Sequence, residues 1–293
     1  MELSVRNLIK KYGKNVAIND FSYVFTNGVY GLLGPNGAGK STLINIITQN
    51  LKPDSGYVEY EGKDIFRLDK EYRKLLGFMP QQQGVYPEFT LDRFLFYMAA
   101  LKGINKADAV KDIENIKKRV NLENEGNKKL GSFSGGMKQR ALLAQAMLGD
   151  PKIIILDEPT AGLDPKERIR IRNLIAEIAF EKILIVATHV VPDVEFIAKN
   201  VLLLRKGKIV DSGKPAEICG KIKDKVFTVR TDEKNLEDIR SRYRICNISE
   251  DGTDILVRLL SDEIPSEYEA QACRPGLEDL YLYYFDDSEG LKI

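Results

Sequence analysis

Residues 29 to 50, VYGLLGPNGAGKSTLINIITQN, join an apolar run to a glycine-rich turn, then to a lysine, two hydroxyls and an amphipathic stretch. That order confines the chain locally to strand, loop and helix. The loop Gly34-Pro35-Asn36-Gly37-Ala38-Gly39-Lys40-Ser41 has the G-x-x-x-x-G-K-[ST] spacing, in which glycines let successive backbone N–H groups turn inward around a polyphosphate. Lys40 is placed to reach β and γ phosphates, and Ser41 to hold Mg²⁺ through its hydroxyl. A helix opening at about Lys40 would turn its positive end toward the same charge. The flanks agree: Val29 to Leu33 reads as a buried strand and Leu43 to Ile47 as a helix face, so a chance glycine turn is the weaker reading.

At 293 residues the chain is long enough for one large domain and a smaller one. With 43% hydrophobic and 30% charged residues it reads as soluble and globular, and no apolar stretch reaches the roughly 18 to 20 residues that span a bilayer. The start, MELSVRNLIKKYG, lacks the apolar core and cleavage site of a secretion signal, so a cytosolic location is expected. Cys219, Cys246 and Cys273 have no metal-ligand spacing and read as idle or buried thiols. The net charge of +1 gives no sign of a nucleic-acid partner. It hides an asymmetry: the chain from Asp224 onward carries 9 basic and 17 acidic residues, a net of −8, against +9 for residues 1–223. A shift of that size marks a domain boundary; we expect one domain over 1–220, with a helical subdomain at about 82–150, and an acidic one over 221–293.

Several further segments carry chemistry. Residues 2–8 alternate as a strand and lead to Tyr12, either a half-buried ring or one placed to stack on a nucleobase. The strand Leu76–Met79 ends at Pro80-Gln81-Gln82-Gln83-Gly84, a polar turn suited to sensing a ligand. From Leu91 to about Val120 the spacing is helical, and the Lys117-Lys118-Arg119 cluster reads as a solvated face. Ser134-Gly135-Gly136 opens a long helix; the serine serves as an N-cap, but capping does not need two glycines, and exposed N–H groups there form a second anion site. Residues 153–158, Ile-Ile-Ile-Leu-Asp-Glu, read as a buried parallel strand ended by two carboxylates. A cation such as Mg²⁺ beside the phosphates would relieve their repulsion at Asp157 and leave Glu158 free to act on a water. The next strand, Ile183–Ala187, ends in Thr188-His189, the single histidine, on the sheet edge where ligands collect in open α/β folds. The closing run Leu277 to Phe285 is rich in aromatics, as core packing or a partner face would require.

Taken together, these motifs resemble the nucleotide-binding subunit of an ABC transporter, over roughly residues 1–220. Lys40 and Ser41, with Thr42 beside them, lie in what matches the Walker A loop, Gln81 matches the Q-loop glutamine, and Ser134-Gly135-Gly136 the signature. Asp157 ends the Walker B strand, Glu158 takes the place of the catalytic glutamate, Asp164 lies in the D-loop, His189 fills the switch position, and Tyr12 resembles the adenine-stacking aromatic. The signature reads FSGGM instead of LSGGQ, so Met137 lacks the usual glutamine amide. The resemblance implies an α/β fold: a P-loop NTPase core with an inserted helical subdomain and a small α+β C-terminal domain. It implies ATP and Mg²⁺ as cofactors, with Gln81 joining Ser41 and Asp157 at the metal, and a twofold dimer in which each Walker A site faces the other copy's signature. A separate membrane permease would be the further partner, reached from the inner face of the membrane through the segment Gln83 to Phe89. The acidic tail, ending in Leu-Glu-Asp and aromatics, is similar to that of exporters of the drug, bacitracin and antibiotic-resistance type. A non-transport ATPase of the same type, acting on ribosomes or DNA, is the alternative; such proteins generally carry paired domains or a long coiled coil, which this chain lacks.

Overall fold

The computed structural model describes residues 1–81, 86–252 and 254–285. In chain order, strands β1 (Glu2–Tyr12), β2 (Asn15–Thr26) and β3 (Gly28–Leu33) lead into α1 (Lys40–Ile47). Then come β4 (Ser55–Tyr60), β5 (Lys63–Asp64), α2 (Ile65–Leu68), α3 (Lys70–Leu75) and β6 (Leu76–Met79). The helices α4 (Leu91–Leu101), α5 (Lys106–Arg119) and α6 (Gly135–Met147) precede β7 (Ile153–Asp157), α7 (Pro165–Ile178), β8 (Ile183–Thr188), α8 (Pro192–Glu195), β9 (Asn200–Arg205) and β10 (Lys208–Gly213).

A six-stranded sheet in the order β10-β9-β3-β8-β7-β6 positions the site, and β9, β3, β8, β7 and β6 run parallel. Every residue of β7 and β8 is buried, as a strand covered on both faces requires. Their register sets Asp157 beside Ala187, and Leu33 beside Thr188, so the loops leaving β3, β7 and β8 emerge at one edge. A second, antiparallel sheet has the order β2-β1-β4-β5. One apolar core joins the two sheets: Leu43, Ile44, Ile46 and Ile47 of α1 pack with Phe21 and Phe25 of β2 and with Ile155 and Ile185 of the parallel sheet. In the helical insertion, Thr90 and Asn105 cap α4 and α5 by accepting from Arg93 N and Asp108 N.

The chain divides into two compact units, Met1–Ile209 and Val210–Ile293. The boundary at 220 expected from charge lies within the second unit, and Asp211 near the start of that unit is tied to the later chain. Its carboxylate accepts from Lys221 at 2.5 Å and from Tyr284 at 2.9 Å. The second unit holds α9 (Pro215–Cys219), β11 (Val226–Thr231), α10 (Glu233–Arg242), β12 (Arg244–Asp251), β13 (Asp254–Leu260), β14 (Glu269–Ala272) and α11 (Leu277–Phe285). Its antiparallel sheet, β12-β13-β11-β14, shares with Ile239 of α10 a small core of Phe227, Val229, Val257 and Leu259. Asp279, in the Leu-Glu-Asp run, is buried and its two oxygens accept from Nε and Nη2 of Arg258 at 2.9 and 2.7 Å. No helix among the described residues is long and apolar enough to cross a membrane.

Candidate functional site

The loop between β3 and α1 is held by close backbone approaches. A Cβ on Gly34 would stand 2.4 Å from Leu204 O, and one on Gly39, whose φ is +106°, 2.5 Å from Ala17 O. Gly39 is also the N-cap of α1, and no side chain caps this helix, so the first-turn N–H groups remain directed at whatever lies beyond the loop. Lys40 is 8% exposed, and its ammonium donates to the carbonyls of Gly34 at 2.5 Å and Pro35 at 3.2 Å. Burial pulls its pKa below the ordinary lysine value, and the carboxylates of Glu158 and Asp157 oppose that pull.

At the end of β7, burial first and then the neighbouring Glu158 push the Asp157 carboxyl up to about 6, with Lys40 acting in the opposite direction. Glu158 has a left-handed backbone, φ 51°, uncommon for a residue with a side chain. The conformation is held on both sides. Its N–H donates to Ala187 O at 2.8 Å, while its carboxylate accepts from Thr188 Oγ1 at 3.1 Å, from the His189 N–H at 3.1 Å, and meets His189 Nδ1 at 2.7 Å. The strands β7 and β8 are thereby fastened at their ends by the residues proposed from sequence for catalysis and sensing.

These groups line one cleft of about 440 Å³. The loop supplies Asn36, Gly37, Ala38 and Gly39, the helix Lys40, Ser41 and Thr42, and three strand ends supply Gln81, Asp157 with Glu158, and His189. Tyr12 lines it from the end of β1, its ring half exposed and the Lys10 ammonium 5.9 Å from its centroid. Gly34 and Pro35 lie behind the wall, as the acceptors of the Lys40 hydrogen bonds.

Ser134, Gly135, Gly136 and Asp164 are not among the residues lining the cleft. Ser134 caps α6 by accepting from Met137 N at 3.3 Å, and Asp164 caps α7 by accepting from Glu167 N at 2.9 Å. Gly136 has a packing reason to be glycine, since a Cβ there would meet Glu167 Oε2 at 2.7 Å. Gly135 has none of that kind, its nearest such contact being Leu163 at 3.9 Å. Phe133, which stands where the resemblance expects leucine, is buried. Of the polar turn after β6, Gln82 to Gly84 lie outside the described residues, as does part of the Gln83–Phe89 segment.

Sequence reasoning missed Asn15 and Ala17, which complete the wall beside Tyr12. It also missed a buried pair behind Glu158: the Thr160 hydroxyl donates to Asp193, a carboxylate only 2% exposed with Arg168 at 3.9 Å. Burial raises the Asp193 pKa, against the Thr160 hydrogen bond and the nearby arginines. Nothing in the spacing of these residues joins them.

A family model described as ABC transporter matches residues 19–161. An uncharacterized ABC transporter ATP-binding protein of Bacillus subtilis (strain 168) is 35% identical over 233 residues, 79% of this chain and 77% of that one. The bacitracin transport ATP-binding protein BcrA of Bacillus licheniformis is 34% identical over 212 residues, 71% of this chain and 68% of that one. Among solved structures, the dimeric structure of MJ0796, a bacterial ABC transporter cassette, superposes with a TM-score of 0.65 at 27% identity, covering 72% of this chain and 98% of the other.

Proposed function

Because the chain belongs to the family of ABC transporter ATP-binding proteins, a family of ATPases, we propose that it is the motor of an exporter, closing as a dimer around two MgATP and driving a separate permease. The cleft carries this reading. Loop amides, a buried lysine, paired carboxylates, a glutamine and a histidine meet there from the ends of four neighbouring parallel strands. The bacitracin transport relative supports export, and the relatives being transporter subunits favours a permease over ribosomes or DNA as the partner.

The donor set suits Mg²⁺. Ser41, Asp157 and Gln81 each offer an oxygen of the hard kind that Mg²⁺ takes, too few to cage it without phosphate and water. A raised Asp157 pKa marks a carboxylate that a cation would stabilise. When bound, the ion would neutralise charge on the β and γ phosphates. Lys40 turns from the loop carbonyls to those phosphates, and the amides of residues 36–42 hold them in place. Glu158 orients and polarises the attacking water, and His189, tethered to Glu158, contacts the γ-phosphate. Tyr12 stacks on the base. Ser134 and the N–H groups of Gly135 and Gly136, together with Asp164, act across the dimer on the partner's nucleotide, which fits their place outside this chain's own cleft. Gln81 links the cleft to the helical insertion, where Tyr86, Phe89 and Tyr97 form a cluster with ring centroids 4.8 to 5.9 Å apart, two of the rings exposed. That cluster is the permease contact in our reading.

Phosphate release tests the proposal. The wild-type chain should hydrolyse ATP, and Lys40→Ala should lose nucleotide binding; unchanged binding by that variant would mean that the loop does another task.

A further inference from the structure

A second cleft lies in the second unit, far along the chain from the phosphate loop. It is a groove of about 880 Å³, twice the volume of the nucleotide cleft, between the end of α10, strand β12 and helix α11. That volume is within the range of small-molecule sites. Its charge is the reverse of its surroundings. The chain from Asp224 onward holds 9 basic and 17 acidic residues, yet Lys225, Arg240, Arg242 and Arg244 line the groove with Asp262 as the one acid among the described lining residues.

Three of these cations are fixed in place. Lys225 donates to Asp262 at 2.5 Å and lies 5.0 Å from the centroid of the Tyr283 ring. Arg244 donates to the carbonyls of Leu282 and Tyr283 at 3.2 and 3.1 Å, closing the last turn of α11. Arg242 is held by Asp238 at 2.9 Å and Glu267 at 3.3 Å. Arg240 has no ion-pair partner among the described residues. Holding these side chains in advance fixes the walls of the groove, and with Lys225 and Arg242 already paired to carboxylates the charge left for an anion is that of Arg240. Between them the lining is apolar: Ile245, Ile248, Leu260 and Leu282, with Ile248 37% exposed. A free phosphate would leave that apolar surface wet, and a neutral lipid would leave Arg240 unmatched.

We propose that this groove binds an organic anion, a sulfonate, carboxylate or phosphate on an apolar body, with the head group at Arg240 and the body against Ile245 and Ile248. Guanidinium recognition of a flat or tetrahedral oxyanion supplies direction, and burial of the body supplies affinity. The site is independent of the nucleotide reading, since it shares no residue with the phosphate cleft.

Calorimetric titration of the full chain with decyl sulfonate, below its micelle concentration, tests this against decanol, which has the same body without the charge. We expect saturable binding of one sulfonate per chain, at least 10-fold tighter than decanol. Arg240→Glu should weaken it 10-fold or more and Arg240→Gln by less, with unfolding midpoints unchanged. Lys234→Glu, the same charge change elsewhere on α10, should leave affinity within 2-fold, and so should Lys40→Ala. Equal affinity for decanol, or an equal loss in Lys234→Glu, would overturn the proposal by reducing it to apolar contact or net charge. Loss of binding in Lys40→Ala would also overturn it, by placing the sulfonate on the phosphate loop, and would leave the ATPase reading intact.

Discussion

Glu158 has its backbone in an uncommon conformation, its N–H on Ala187 and its carboxylate on Thr188 and His189. In the proposed role it is the base, so Glu158→Gln should keep ATP binding and lower phosphate release by about 10² to 10⁴; wild-type turnover would remove it from that role. Asp157 gives a different test. Its pKa near 6 in the folded chain lies above the unfolded value, so the fold holds its proton more firmly. The resulting destabilisation is absent below about pH 4, grows as pH rises toward 6, and is complete above it. In EDTA and without nucleotide, Asp157→Asn should therefore raise the unfolding midpoint at pH 7 by about 2–4 °C, and should not at pH 4. Most of the cleft was legible at this scale, because a loop and strand ends announce themselves by local patterns. The Thr160–Asp193 pair was not, since its two residues meet only through the tertiary fold.

At the scale of elements, the start of α6 separates two reasons for glycine. Gly136→Ala sets a Cβ 2.7 Å from the Glu167 carboxylate, which pairs with Arg170 at 2.6 Å, and should cost about 1–3 kcal/mol in denaturant unfolding. Gly135→Ala meets nothing closer than 3.9 Å and should leave stability within about 0.5 kcal/mol. Loss of ATP hydrolysis in the stable Gly135→Ala variant is then the expected sign of action across the dimer; full activity would argue that this turn serves only as a helix cap. The sequence read the serine's capping correctly, but the crowding at Gly136 depends on α7, whose approach no local pattern encodes. Strands β2 and β14 also escaped reading. In β2, exposed and buried residues alternate irregularly, and in β14 no residue is fully buried, so neither carries the period of two that marks a strand.

For the whole molecule, the parallel core and its helical insertion followed from motif order, and a division into two parts was expected from charge composition. Charge composition changes near residue 224, and the second unit begins at Val210, with Asp211 bonded to Lys221 and Tyr284 inside it. Association belongs to this scale. Glu158→Gln with MgATP should double in mass by light scattering and return to the single-chain mass when EDTA is added; a chain that stays single throughout would contradict the dimer. The order of the central sheet carries one more consequence. The phosphate loop, His189, the Asp157–Glu158 pair and Gln81 follow β3, β8, β7 and β6, which are consecutive neighbours in the sheet. Their spacing is thus graduated by the interstrand pitch of about 4.8 Å, a ruler of backbone hydrogen bonds that no side-chain substitution can restretch. Telling a diphosphate from a triphosphate becomes, on this geometry, a matter of how many graduations the ligand spans.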